Sequence, residues 1–562
     1  MTSIARFCLT LSFLVVSASV TVADGLAGAY LSGRHAAAQN DYVGASNFYK
    51  RALNLDPESA QLQNDAILSF VMRGDMNSAL DWVDQSAPRN TLDRLPRLLT
   101  LADALAAGNF DTAREYLSAD DEVMSPIIKD LLSGWITFGQ GSAAEAISEF
   151  DSMNGQGFGV LAQYHKALAF AATGNFEAAG ELMAGGDRGP LHIDRNAIAS
   201  HALILANTGD TLGAALILDQ ADPTGSDPKL SALRAELVAG NIPAFTVVRS
   251  ATDGAAEVFR ALSQILASEE NTDAALIYAR LAQHVRPGQS DVNLLLGDIL
   301  RFQDQYIVAA EEYSKVAFDD PLYLEAEMSR ADTLAEAGET EAAIAVLQGL
   351  ERTAPGHPEV QITLGDILRF EERFAEAEPF YTAALDQMAD GDGNLWRIYY
   401  ARGIARERTD QWELAETDFR RSLDLSPNQP FVLNYLGYSL VEKGQNLEEA
   451  LEMIKRAVSE RPEDGYITDS LGWAYYRLGD YQKAVEPMER AASLVATDPI
   501  INDHLGDVYW MVGRKREARF QWRRALSFKP EEPEIPKIKR KLEIGLEAFL
   551  QEQSTAETVL GE

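Results

Sequence analysis

Carboxylates and aromatic rings are the residues of this sequence best placed to do chemistry, and the chemistry they suit is recognition. Asp298, Asp332 and Asp366, then Asp469, Asp503 and Asp507, are interleaved with Phe302, Phe370, Tyr400, Tyr438, Tyr466, Trp473, Tyr476, Trp510 and Met511. Rings cover the apolar parts of a ligand and carboxylates pair with its cations. Such a mixture favours peptide segments of other proteins with apolar and basic side chains. The run Gly-Asp-Ile-Leu-Arg-Phe occurs at residues 297–302 and again at 365–370, placing Arg301 and Arg369 at equivalent sites.

Bond-making chemistry finds no matching signature. There is no glycine-rich phosphate loop ending in Lys-Ser/Thr, no HExxH helix and no GxSxG elbow. The seven histidines are His35, His165, His192, His201, His284, His357 and His504, with no pair at ligand spacing on one helix. Paired carboxylates abound, but in an acidic chain abundance says little unless a pocket splits their pKa values. The chain therefore reads as not an enzyme, with no catalytic residue, no cofactor site and no metal site.

The formal charge is −36. A polyanionic surface repels phosphates, so nucleic acid is not an expected partner. The same charge keeps a long exposed body in solution and favours basic or polar partners. Residues 1–23 read as a cleaved signal peptide. Arg6 supplies the positive start, an apolar stretch runs from Phe7 to about Val16, and Thr21 and Ala23 suit the peptidase site. That stretch is short for a membrane span. The single cysteine, Cys8, lies near the start of the run, not behind it where a lipid-anchored cysteine belongs. A chain starting at Asp24 would have no thiol for a disulfide, a metal or a nucleophile. The expected location is the periplasm, without a transmembrane anchor, and with peripheral association to the outer membrane left open.

The elements that must position the rings and carboxylates emerge from a repeat. Gly33, Gly134, Gly297, Gly365, Gly403, Gly437, Gly472 and Gly506 recur in phase. Twelve residues after most of them comes an alanine, among them Ala45, Ala146, Ala309, Ala377, Ala415, Ala484 and Ala518. A second glycine set, including Gly74, Gly108, Gly141, Gly174, Gly209, Gly338, Gly444, Gly479 and Gly513, suits a left-handed helix end. Prolines such as Pro57, Pro287, Pro321, Pro355, Pro427, Pro462 and Pro530 stop a second helix. This pattern resembles the tetratricopeptide repeat, a helix–turn–helix unit of about 34 residues. The resemblance implies an all-α fold: a right-handed superhelical solenoid of about fifteen units, fourteen readable and one eroded near 226–255. Glycine or alanine lets two helices cross closely, and bulky residues such as Tyr475, Met488, Tyr509 and Trp522 fill the core.

In this family the first helix of each unit lines a concave groove through its positions 2, 5, 9, 12 and 13. That places Asp298, Arg301, Phe302, Asp332, Asp366, Arg369, Phe370, Tyr400, Tyr438, Tyr466, Asp469, Trp473, Tyr476, Asp503, Asp507 and Trp510 in a protein-binding groove. Two alternatives stay open: the position-9 aspartates as plain solvated helix positions, and the tryptophans buried by neighbouring helices. The family's clamp for a carboxylate terminus is absent, since acidic residues stand where it needs lysine and asparagine. Expected segments are the signal peptide at 1–23, a degenerate subarray at 24–255, a regular subarray at 256–530, a capping helix at 531–550 and a flexible tail at 551–562. Lys and Arg are dense from Arg514 to Lys541, either as a solvated end or as a dock for an anionic partner or lipid. Residues 431–530 resemble the end of a group of proteobacterial envelope proteins, some of which are adaptors for a carboxy-terminal processing protease. The resemblance implies a scaffold or adaptor; a structural spacer in envelope or polysaccharide-export assembly is the alternative.

Overall fold

The structure is a computed structural model describing residues 25–86, 94–118, 125–153, 159–186, 189–389 and 391–560. The expected signal peptide lies outside the described residues. Among them the chain forms 31 α-helices and no strand. Six hairpins come first: α1 (Leu26–Ala38) with α2 (Tyr42–Leu55), α3 (Ala60–Met72) with α4 (Met76–Ser86), α5 (Arg94–Ala106) with α6 (Phe110–Ser118), α7 (Pro126–Gly139) with α8 (Ala143–Ser152), α9 (Gly159–Ala172) with α10 (Phe176–Ala184), and α11 (Arg195–Thr208) with α12 (Thr211–Ala221). Next, α13 (Pro228–Val238) stands without a second helix. Eight hairpins follow: α14 (Ala251–Ser268) with α15 (Thr272–Val285), α16 (Ser290–Phe302) with α17 (Tyr306–Tyr313), α18 (Tyr323–Glu336) with α19 (Thr340–Thr353), α20 (Pro358–Phe370) with α21 (Phe374–Gln387), α22 (Leu395–Glu407) with α23 (Trp412–Leu425), α24 (Pro430–Lys443) with α25 (Leu447–Glu460), α26 (Gly465–Arg477) with α27 (Tyr481–Leu494), and α28 (Pro499–Met511) with α29 (Lys515–Ser527). The chain ends in α30 (Glu534–Ile544) and α31 (Leu546–Leu560).

Close packing explains the recurring glycine. A β-carbon at Gly365 would sit 2.8 Å from the Tyr381 ring, at Gly403 2.6 Å from Phe419, and at Gly472 2.6 Å from Met488. In each case the opposing side chain comes from the second helix of the same hairpin. A methyl there would overpack the contact at a cost of about 1–3 kcal/mol. The in-phase alanines Ala45, Ala146, Ala309, Ala377, Ala415, Ala484 and Ala518 are fully buried for the same reason. Turns between helices need a left-handed residue. Gly74, Gly338, Gly479 and Gly513 supply it, and Asn40, Glu270, Asp304, Glu372 and Asp410 adopt it without glycine's freedom. Many second turns start on a side-chain cap, as when Asp194, Asp464 and Asp498 accept backbone N–H groups of α11, α26 and α28.

The chain divides into two compact units inside α19, unit 1 ending at Leu350 and unit 2 starting at Glu351. The boundary expected at 255 is not where this division falls. In unit 1, α14 packs on α5, α7 and α9, and α15 packs on α3 and α5, so these two helices cover a face of the early hairpins. Trp135 of α7 is fully buried against the backbone of Gly254. Tyr164 of α9 donates to Glu257 at 2.9 Å, and Arg260 bridges Glu257 and Asp194. Thr252 reaches the Leu105 carbonyl at 3.0 Å.

Unit 2 holds α20 to α31. The expected single cap at 531–550 is two helices, broken at Gly545 with its left-handed φ of 85°. The expected flexible tail is helical as far as Leu560. Among the described residues no helix is long and apolar enough to cross a membrane.

Candidate functional site

In unit 2 the first helices α20 and α22 form one wall with a cleft of about 410 Å³. Its lining includes Ile362, Asp366 and Arg369 from α20, and Arg397, Tyr400 and Ile404 from α22. Three residues expected in the groove, Asp366, Arg369 and Tyr400, thus converge. Tyr381 fixes them from behind: its hydroxyl donates to Asp366 at 2.7 Å and accepts from Arg369 Nε at 3.1 Å. Arg369 also reaches Asp366 at 3.3 Å. Burial works against the guanidinium charge, yet Tyr381 and Asp366 outweigh it and raise the Arg369 pKa. Burial pushes the Tyr400 hydroxyl up to about 12, against the lowering effect of Arg369. The cleft therefore keeps a fixed cation, a fixed anion and apolar walls. Phe370 is largely exposed beside it, with the Arg369 guanidinium 4.6 Å from its ring.

Further along, Trp473 of α26 is half-buried between two rings. Tyr476 stacks at 4.6 Å with planes 9° apart, and His504 of α28 stacks at 4.0 Å and 14°. The Trp473 indole donates to Glu442. His504 Nδ1 meets Asp469 at 2.9 Å. Burial disfavours a charged ring there, but Asp469, Asp503 and Asp507 together hold the imidazole above its ordinary pKa. Tyr438 is half-buried nearby, its hydroxyl pKa raised by burial, then by Glu442 and Asp469. Tyr466 is exposed at the start of α26.

The end of this wall is not open. Lys541 of α30 inserts between Asp503 and Asp507, 2.7 Å from each, and Trp522 donates to Asp507 at 2.8 Å. Trp510 is buried beneath Gly545 and donates to Glu547. Asp503, Asp507 and Trp510 were expected in the groove, and the chain's own last helices cover them. Asp469 is also buried, under His504. The dense cations are largely paired: Arg514 with Glu489, Arg540 with Glu552, Lys515 with Glu547, and Arg519 with the Leu542 carbonyl.

The remaining expected residues lie in unit 1. Asp298 accepts from Tyr313 at 2.7 Å, as Asp366 does from Tyr381. Arg301 leaves that site and pairs with Glu336 at 2.6 Å. Phe302 is exposed and Asp332 half-buried.

A family model described as a tetratricopeptide repeat matches residues 294–358 and 436–499. Those two stretches carry tetratricopeptide repeats. The chain's relatives include a tetratricopeptide-repeat-containing protein of Pseudomonas aeruginosa, 29% identical over 188 residues, which are 33% of this chain and 30% of that protein. Tetratricopeptide repeat protein 13 of Homo sapiens is 32% identical over 123 residues, 22% of this chain and 13% of that one. The chain thus spans under a third of the length of these curated relatives. Among solved structures, the Cut9–Hcn1 assembly of the APC/C covers 94% of this chain and 98% of its own, at 15% identity and a TM-score of 0.37. A tetratricopeptide repeat protein of Parabacteroides merdae covers 45% and 97%, at 14% identity and a TM-score of 0.37.

In α22, sequence reasoning missed Arg397 and Ile404, although counting from Gly403 puts them at positions 2 and 9. It also missed His504 as a stacking partner, since the contact joins two repeats. His192 and His201 lie 3.0 Å apart, a pair made across a loop and invisible to spacing on one helix. Burial lowers both, His201 to about 4, so they stay neutral near pH 7. Among the described residues no group of three His, Cys, Asp or Glu side chains could hold a metal.

Proposed function

We propose that this protein is a non-enzymatic scaffold or adaptor that binds segments of other proteins on the inner wall of unit 2. The observation that carries this reading is the cleft between α20 and α22, where Asp366, Arg369 and Tyr400 meet beside apolar walls. A volume of about 410 Å³ lies within the range of about 300–1,000 Å³ of ordinary ligand sites. Trp473, with one hydrogen bond and two stacking partners, is a rigid aromatic anchor of the kind that dominates protein interfaces. Asp298, Arg301, Phe302 and Asp332 belong to the equivalent face of unit 1, and Phe370, Tyr438, Tyr466 and Tyr476 extend the face in unit 2. Asp469 acts from beneath, by orienting His504.

The leader-like residues 1–23 support a periplasmic location, and the resemblance of residues 431–530 supports an adaptor role toward a carboxy-terminal processing protease. The test is a photo-crosslinker placed in the intact chain at Tyr400 or at Trp473, with the captured partners identified. Both positions are expected to capture the same protein. A chain carrying Tyr400→Ala and Trp473→Ala is expected to lose it in pull-down. Full recovery by that double variant sinks the assignment.

A further inference from the structure

Apart from α13 and the last two helices, the helices pair into fourteen hairpins. In each, the residue seven places before the left-handed turn residue faces the second helix and is buried. It is glycine in eight of them and Ile67, Leu101, Ala167, Ala202, Ser263 or Ala331 in the rest. In α13 that residue is Leu233, counted back from Gly240, and Leu233 alone stays partly exposed. The turn itself is complete. Gly240 N bonds the Leu237 carbonyl and Asn241 N the Glu236 carbonyl, as Gly74 and Asp75 bond Val71 and Phe70. The chain then runs on without a helix through residues 241–249, where Pro243 and the run Thr246, Val247, Val248 disfavour one.

Against the side of α13 that carries Ala232 and Leu233, and bounded also by the non-helical segment at residues 243–249, lies a cavity of about 690 Å³. Ala232 and Leu233 of α13, Ala199 and Leu203 of α11, and Val247 supply apolar walls. A helix 10 Å across fills about 420 Å³ per turn, so the cavity has room for roughly one and a half turns. One donor in its lining, Gln289 Nε2, is buried without an acceptor, and the lining also includes the exposed Arg249. A buried donor without a partner is costly, so an incoming acceptor there is favoured.

We propose that this cavity is a second binding site, taking a short amphipathic helix of a partner protein as a substitute for the missing second helix. The apolar face of that helix lies on Leu233, and one of its carboxylates meets Gln289 and Arg249. This site does not rest on the unit 2 cleft.

The probe is a fluorescein-labelled, helix-stapled peptide with the sequence of Ala143–Ser152, a second helix of this same chain that carries three carboxylates. Fluorescence anisotropy with the intact protein is expected to show saturable binding. Leu233→Arg is expected to weaken it at least tenfold, and Gln289→Ala with Arg249→Ala about three- to tenfold. Ala232→Trp fills the cavity without adding charge and is expected to block binding even if Leu233→Arg lowers the melting temperature. Trp473→Ala is expected to leave this binding unchanged. No saturable binding, or binding indifferent to both Leu233→Arg and Ala232→Trp, overturns the proposal.

Discussion

Trp135 and Trp473 each follow a glycine, Gly134 or Gly472, that seats against the second helix of its hairpin. The fold therefore aims both indoles at the inner face of their own unit. Trp135 meets the backbone of Gly254, donates to His165 at 3.1 Å and is fully buried. Trp473 stacks on Tyr476 and His504, donates to Glu442, packs at the edge of the core and stays half-buried. Local sequence sets where a side chain points; a distant segment decides whether that direction is core or site. In unit 1 the inner face is taken by α14 and α15. In unit 2 only its far end is taken, by α30 and α31.

The largest expected effect breaks this comparison directly. Trp135→Ala should cost about 3–5 kcal/mol, since it leaves a cavity under α14. Trp473→Ala should cost less, about 1–3 kcal/mol for its two ring stacks, and act on partner recovery as well. Urea unfolding of both variants decides; equal losses of stability would falsify the division into a filled face and an open one. Lys541→Ala comes next. It leaves Asp503 and Asp507 as uncompensated buried charges, which places its cost at the lower end of about 3–5 kcal/mol. The readout is early protease cleavage within α31 together with a lower denaturation midpoint.

The fold was legible because a repeat offers internal controls. Every in-phase glycine and alanine had one role, and the helices confirm it from Gly33 to Gly506. The site was legible only as a set of directions. Asp366, Arg369 and Tyr400 line one cleft, because α20 and α22 are the first helices of successive hairpins. Trp510 obeys the repeat count yet is core, since Gly545 and Glu547 reach it from a helix outside the repeat pattern. The passage of α14 into the early hairpins was equally hidden, because no residue spacing encodes which distant helix fills a groove.

The covered end of unit 2 should also titrate. Burial, opposed by Lys541, raises Asp507 from 3.8 to about 6. Between those values folding takes up a proton, so this contribution to stability falls as pH rises from about 4 to about 6. His504 is held above 6.5, so its stabilising contribution is complete below 6.5 and is lost as pH climbs through its folded value. Mild acid thus tightens the contact of α28 with α30 and α31. Relative to an Asp507→Asn variant, the parent chain should lose on the order of 1–3 kcal/mol between pH 4 and pH 7, followed by denaturant midpoints at each pH. A constant difference between the two chains across that range would remove Asp507 as the cause.

The smallest expected effect is the sharpest, because it uses two copies of one hexapeptide. Asp298 and Asp366 hold the same tyrosine bond, from Tyr313 and Tyr381. Their arginines part company: Arg301 goes to Glu336 of the next repeat, while Arg369 turns back to Tyr381 and Asp366. The physical cause lies in that next repeat. Five residues after Ala331 comes Glu336, and five after the equivalent Gly403 comes Arg408, a like charge that stacks on Phe374 at 4.6 Å. Arg369 has nowhere outward to go, and so it remains in the cleft. Arg408→Glu should draw Arg369 outward and change the affinity of the unit 2 cleft for its captured partner by about three- to tenfold, in line with about 1 kcal/mol for an exposed pair. Glu336→Arg should do the reverse in unit 1, folding Arg301 back onto Asp298. Crystal structures of the two variants read the arginine positions, and binding of the crosslinked partner reads the consequence. Unmoved arginines in both would mean that the hexapeptide's own surroundings, and not the following repeat, choose the pairing.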